Sequence, residues 1–228
     1  MRIIFVCINF FIFLTPNVFW AQSNTMTSVK DSDPKAKAVL DKLKKQYDAY
    51  KTMEVKFELE VEMPGQTTDI QKGSLVQDGA KYQLKLPDQE IYADGKTSWL
   101  YLKKNKEVQI NDMGTEDNSL FISPKQMMSL YQKGEYIYSI IEERNVGKSK
   151  YVDIEFKPIS KKSDFAKIRL TIDKTANKMI SLRVFSKDGS RYTLKVSNVV
   201  TNKKYESSFF TLNTKALNGV HVEDLRMD

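Results

Sequence analysis

Chemistry in this 228-residue sequence would have to come from one histidine, one cysteine and 29 scattered acids. His221 stands in Gly219-Val220-His221-Val222-Glu223-Asp224. A zinc site takes three or four ligands, and there is no second histidine to help complete one, so His221 reads as a surface or edge-strand residue. Cys7 lies inside an apolar N-terminal run, which leaves the rest of the chain without a disulfide, a cysteine metal site or a thiol nucleophile. The sequence has no Gly-x-Ser-x-Gly elbow, no phosphate-cradling glycine loop and no His-Glu-x-x-His. Gly189 follows Asp188 in a turn, and Gly73 opens a strand. Paired carboxylates are the remaining option for acid–base work. Glu58, Glu60, Glu62 and Glu142-Glu143 occupy strand positions of a solvated face, so the expectation is no catalytic residue, no metal and no cofactor. A hydrolase with converging carboxylates is the enzyme alternative, and turnover lost on mutating an acid pair would reveal it.

Aromatic residues carry more signal, with 12 Phe, 11 Tyr and 2 Trp beside 9 Met. Such side chains make pliable apolar walls for a ligand without fixed polar features. Composition fits an ordinary barrel core equally well.

The elements that must position these groups follow from periodicity. Asp33-Pro34 supplies an N-cap and a first-turn proline, and Ala36, Leu40, Leu43, Tyr47 and Tyr50 recur at helical spacing. That is an amphipathic helix with a single apolar stripe, which needs an apolar partner. From Val55 the period becomes two: Val55, Phe57, Leu59, Val61 and Met63 alternate with Lys56, Glu58, Glu60 and Glu62. Hairpin signals recur at Asp78-Gly79, Asp94-Gly95 and Asp188-Gly189. Strands are expected at 54–63, 67–77, 80–86, 89–93, 97–102, 106–111, 136–146, 150–157, 166–173, 178–187 and 190–201. About eleven strands in consecutive hairpins form an antiparallel meander that must curl to protect its apolar face. The alternation stops at 112–134, where Ser123-Pro124 is expected to start a short inserted helix bearing Met127, Met128, Leu130 and Tyr131. The two helices either plug a cavity or cap a dry core. The fold class is therefore mainly β with a helical lid (α+β), an incomplete antiparallel barrel covered by an N-terminal and an inserted helix.

Met1-Arg2 and the apolar run Ile3–Trp20, ending at Ala21-Gln22-Ser23, have the shape of a secretory signal, with cleavage near Ala21. A retained anchor is the alternative, though the run is short and Pro16-Asn17 interrupts it. Residues 1–21 are thus expected to be a signal peptide, 22–32 a disordered leader and 33–228 one domain. Removing 21 residues from 228 leaves about 207, enough for one β domain with a core or a cavity. The net charge of +7 falls by one with Arg2. The lysines are mixed with acids along strands, so a solvated face is expected and no nucleic acid partner; weak attraction to anionic membranes stays open.

Two stretches resemble the LolA-like family of periplasmic carriers of outer-membrane lipoproteins. One is Ile91-Tyr92-Ala93-Asp94-Gly95-Lys96-Thr97-Ser98-Trp99-Leu100-Tyr101. The other is Phe209-Phe210-Thr211-Leu212 followed by Gly219-Val220-His221-Val222-Glu223-Asp224-Leu225-Arg226. The order of elements agrees across nearly the whole mature chain. The resemblance implies a monomeric periplasmic carrier with helices across the mouth of an unclosed barrel. It would take acylated lipoproteins from an inner-membrane lipoprotein-releasing transporter and pass them to an outer-membrane acceptor. An envelope module that senses lipids or lipoproteins without transporting them is the other reading on this fold. On the carrier reading Val55, Phe57, Leu59, Val61, Leu84, Trp99, Tyr101, Ile154, Phe156, Ile168, Leu170, Ile172, Leu182 and Val184 line the acyl-chain cavity. Leu40, Leu43, Tyr47, Met127, Met128, Leu130 and Tyr131 form the underside of the lid. Charges opposite residues 55–63 set their inward parity, whereas Leu100 and Leu102 compete with Trp99 and Tyr101 for the inner face. The family's basic residue beside proline, which latches the lid, has no match in Gln77-Asp78-Gly79-Ala80.

Overall fold

The computed structural model describes residues 28–113 and 129–226. A helix, α1 (Pro34–Asp48), precedes β1 (Thr52–Glu62), β2 (Asp69–Asp78), β3 (Lys81–Lys85), β4 (Gln89–Ala93), β5 (Thr97–Leu102) and β6 (Glu107–Asp112). A single 3-10 turn, Leu130–Gln132, then leads into β7 (Tyr136–Val146), β8 (Ser149–Pro158), β9 (Phe165–Asp173), β10 (Lys178–Ser186) and β11 (Arg191–Thr201). The last strand among the described residues is β12 (His221–Asp224). Each of the eleven expected strands is present within two residues of its expected bounds. The twelfth, in the expected tail, has no counterpart among them.

All twelve strands form one sheet in the order β12-β6-β5-β4-β3-β2-β1-β11-β10-β9-β8-β7. Among the described residues its end strands, β12 and β7, do not pair, so the barrel is open. Two meanders, β1–β6 and β7–β11, join where β1 meets β11. Every pairing is antiparallel except that β12 runs parallel to β6 and covers its edge.

The helix forms where its signals lie. The Asp33 carboxylate accepts from Lys35 N at 2.8 Å, Pro34 takes the first turn, and Ala36, Leu40, Leu43 and Tyr47 are the buried stripe. Residues 28–32, expected within the disordered leader, instead form a capped 3-10 turn, with the Ser28 and Asp31 side chains satisfying each other's backbone N–H groups. This turn then ties to β7. Asp33 N donates to Tyr138 O at 2.9 Å, and Tyr138 N donates to Ser32 Oγ at 3.2 Å.

Cross-strand register defines the helix-bearing face. One row runs Leu59–Leu194–Leu182–Leu170–Ile154–Ile140 across β1, β11, β10, β9, β8 and β7. The next runs Val61–Tyr192–Val184–Ile168–Phe156–Tyr138. A register shift beside Phe57 puts both Val196 and Val199 of β11 on this face, because one extra residue flips the side-chain alternation back. Gly73 faces Phe57 across β1 and β2, and a Cβ there would lie 2.5 Å from the Phe57 ring and 2.8 Å from Leu86. Glycine therefore lets the ring approach the β2 backbone closely.

Candidate apolar binding face

Cover on the apolar face is uneven. Beneath α1, Met53 and Val55 of β1 join Leu75, Leu84, Val152, Ile154, Phe156, Ile168, Leu170 and Ile172 in one cluster with Leu40, Leu43 and Tyr47. Ile154 and Ile172 are fully buried. Further along β1 the burial fades. Phe57 is 5% exposed, Leu59 and Val61 are half-buried, and Met63 is 41% exposed. Their neighbours Leu194, Val196, Tyr192 and Val184 are half-buried as well. One half of the face is thus a dry core, and the other is an apolar strip that the protein's own described side chains cover only in part.

Polar bonds hold α1 over this face. The Tyr131 hydroxyl donates to Asp41 Oδ1 at 2.6 Å. Asn177 Nδ2 donates to Gln46 Oε1 at 2.6 Å, and Met179 N donates to the Tyr47 hydroxyl at 3.3 Å. Ile140 N donates to Asp33 Oδ2 at 3.3 Å. Burial and the neighbouring Asp41 carboxylate push the Tyr131 hydroxyl well above its usual range. Hydrogen bonds from Lys37 and Tyr131 hold Asp41 below the usual carboxylate range. Each such bond is worth about 0.5–3 kcal/mol net, and they add to the apolar stripe of Ala36, Leu40, Leu43 and Tyr47 packed beneath. The stretch Gln77-Asp78-Gly79-Ala80 takes no part in them; Gln77 Nε2 donates to its own turn, at Gly79 O.

Most of the expected inner residues come together. Val55, Phe57, Leu84, Ile154, Phe156, Ile168, Leu170, Ile172 and Leu182 are buried in the cluster, and Leu59 and Val184 pack against it. Val61 shares their face in the half-buried strip. Of the lid residues, Leu40, Leu43, Tyr47, Leu130 and Tyr131 lie in the cluster. Met127 and Met128, with the start of the inserted helix, lie outside the described residues, as does the expected signal peptide.

Trp99 and Tyr101 are corrections. The row Val55–Leu75–Leu84–Ile91–Leu100 puts Leu100 on the helix-bearing face. Trp99 pairs with Tyr92 and Ile110, and Tyr101 with Glu90 and Val108, all on the opposite face. The chain after β11 folds back over that face at β1 and β3. Phe210 is fully buried, Gln83 Nε2 donates to Phe209 O at 2.9 Å, and the Tyr205 hydroxyl donates to Glu54 Oε2 at 2.5 Å. The Tyr205 and Phe209 ring centroids lie 4.8 Å apart, with the planes tilted by 43°. Pattern alone could not distinguish the faces of β5, since both are apolar.

Over β8–β11 and β1 the opposite face is ionic. Glu155 sits between Lys167 and Arg169 at 2.9 and 3.0 Å, Arg183 pairs with Glu62, and Lys195 pairs with Glu60. Burial raises the Glu155 pKa, but hydrogen bonds from Lys167 and Arg169 outweigh it and hold the carboxyl below its usual range. Among the described residues no three His, Cys, Asp or Glu side chains group as metal ligands, and no helix is long and apolar enough to cross a membrane. His221 is exposed on the edge strand β12.

An open sheet with a helix packed over one apolar face, part of that face only half-covered by the described residues, defines an open half-barrel. Residues 48–213 match the family model of the outer membrane lipoprotein carrier protein LolA. The chain belongs to that family. No curated protein matches it in sequence. Among solved structures, an uncharacterized conserved protein from Thermus thermophilus aligns with a TM-score of 0.54 at 11% identity, over 83% of this chain and 99% of the other. A LolA superfamily protein from Nitrosomonas europaea aligns with a TM-score of 0.41 at 12% identity, over 78% and 98%. The Mycobacterium tuberculosis lipoprotein LppX gives 0.44 at 11%, over 77% and 100%. At 11% identity the likeness to the Thermus thermophilus protein is one of fold alone.

Proposed function

We propose that this protein is a monomeric periplasmic carrier, exported with cleavage near Ala21, that shelters the acyl chains of lipoproteins between an inner-membrane lipoprotein-releasing transporter and an outer-membrane acceptor. The observation that carries this reading is the loss of cover along β1, from Val55 through Leu59 to Met63, in a member of the LolA family. A half-covered apolar strip beside a fastened helix suits a guest that needs shelter and no directional bonds. Each buried methylene gains about 0.8 kcal/mol, so ten give roughly 8 kcal/mol. Cargo must leave again without nucleotide hydrolysis, which suits a strip left half-covered beside the packed helix better than a site sealed within the dry half.

Release of lipoprotein from inner-membrane vesicles, followed by transfer to outer membranes, tests the proposal. The wild type should release and deliver cargo, and a folded Leu59→Glu variant should do neither. Release by that variant at the wild-type level would overturn the reading. Saturable binding without transfer would instead mark an envelope sensing module.

A further inference from the structure

The solvent ridge of α1 carries lysines that the helix itself does not explain. Opposite the buried stripe, Lys35, Ala38, Lys42, Lys45 and Ala49 are exposed at alternating spacings of three and four. The two acids of the helix are engaged to the sides: Asp41 with Lys37 at 2.7 Å, and Asp48 with Lys44. Among the described residues, Lys35, Lys42 and Lys45 form no ion pair. Lys30 before the helix and Lys51 after it are exposed as well. Lys45 in the last turn favours the helix dipole, but Lys35 sits in a first turn that has no acid, where a cation is unfavourable. Lys35 to Lys45 spans about 15 Å of helix axis, with Ala38 and Ala49 completing the ridge.

We propose that this ridge docks the protein on an anionic phospholipid surface. Exposed lysines with no aromatic or arginine anchor act through diffuse attraction to many headgroups, each contributing near the surface. Protein interfaces are depleted in lysine and centre on Trp, Tyr and Arg, so a membrane fits this ridge better than an acidic protein. The ridge lies on the outer side of the helix that covers the apolar face. Resting on the carrier reading, docking there would hold the cover against the bilayer that contains the acyl chains.

Flotation of the cargo-free protein with protein-free vesicles tests this independently of any transfer assay. Vesicles of phosphatidylglycerol and phosphatidylcholine should retain it at low salt and release it as salt rises, while pure phosphatidylcholine should not retain it. The triple variant Lys35→Gln, Lys42→Gln, Lys45→Gln should lose about fivefold in partitioning per lysine, on the order of a hundredfold in all. A charge-matched control, Lys56→Gln, Lys72→Gln, Lys96→Gln, should keep most of the binding. Equal loss in the two triples, or no wild-type binding to anionic vesicles, overturns the proposal. Binding only to vesicles bearing inner-membrane proteins also overturns it and assigns the ridge to an acidic protein face. None of these outcomes bears on whether the apolar strip takes acyl chains.

Discussion

Truncating Leu59 and Leu170 to alanine makes the same chemical change at two places on one cross-strand row, and the structure expects different consequences. Leu170 is 2% exposed and enclosed by the cluster under α1. Losing its three terminal carbons removes about 2.4 kcal/mol of transfer energy at 0.8 per carbon, and the cavity left behind brings the cost to roughly 3–5 kcal/mol. Leu59 is half-buried in the strip that the described residues only partly cover. There about half the transfer energy applies and little cavity forms, for a cost of about 1 kcal/mol. Urea midpoints at constant m-value should therefore separate the two variants by about 2–4 kcal/mol. Binding of a fluorescent fatty acid should respond in the opposite order. Leu59→Ala should weaken it about fivefold, one kcal/mol of lost contact, while folded Leu170→Ala should bind as the wild type does. Equal stability losses together with unchanged probe affinity in Leu59→Ala would refute the division of the face into a dry half and a receiving half.

The ionic face yields a pH signature. The Glu155 pKa is depressed in the folded state, so its contribution is complete above the unfolded value of about 4.3 and is lost as pH falls through the lower folded value. Glu155→Gln should cost about 1–2 kcal/mol at neutral pH and flatten the stability curve on the acid side of about pH 4, as read by thermal melts. Gly73→Ala should cost about 1–3 kcal/mol by crowding Phe57 and Leu86, and Phe57→Leu in the same chain should recover part of that loss in a double-mutant cycle. A chain ending at Leu217 should expose the β6 edge that β12 covers, giving faster amide exchange at Val108 and Ile110 and concentration-dependent aggregation.

Legibility varied with how strongly one face of an element was marked. In β1 four charges oppose the apolar row, and the inward parity of Val55, Phe57, Leu59 and Val61 could be read directly. In β5 the alternation Trp99-Leu100-Tyr101-Leu102 is apolar on both sides, and only register against Tyr92 and Ile110 turns Trp99 outward. Four exposed residues, His221–Asp224, leave no alternation to read, so β12 was invisible. The fastenings of α1 were likewise hidden, because Tyr131 and Asp41 lie 90 residues apart.

Local chemistry alone determined which segments are strands, where the hairpins turn, which stripe of α1 is buried and that the sheet must protect one face, since these follow from spacing and turn residues within a few positions. Tertiary structure decided which strands are neighbours across the β1–β11 seam, that the chain after β11 covers the second face, and where cover over the apolar face runs out. Those outcomes depend on contacts between residues far apart in the chain, where solvent exposure is settled by what packs on top and not by the residue's own type.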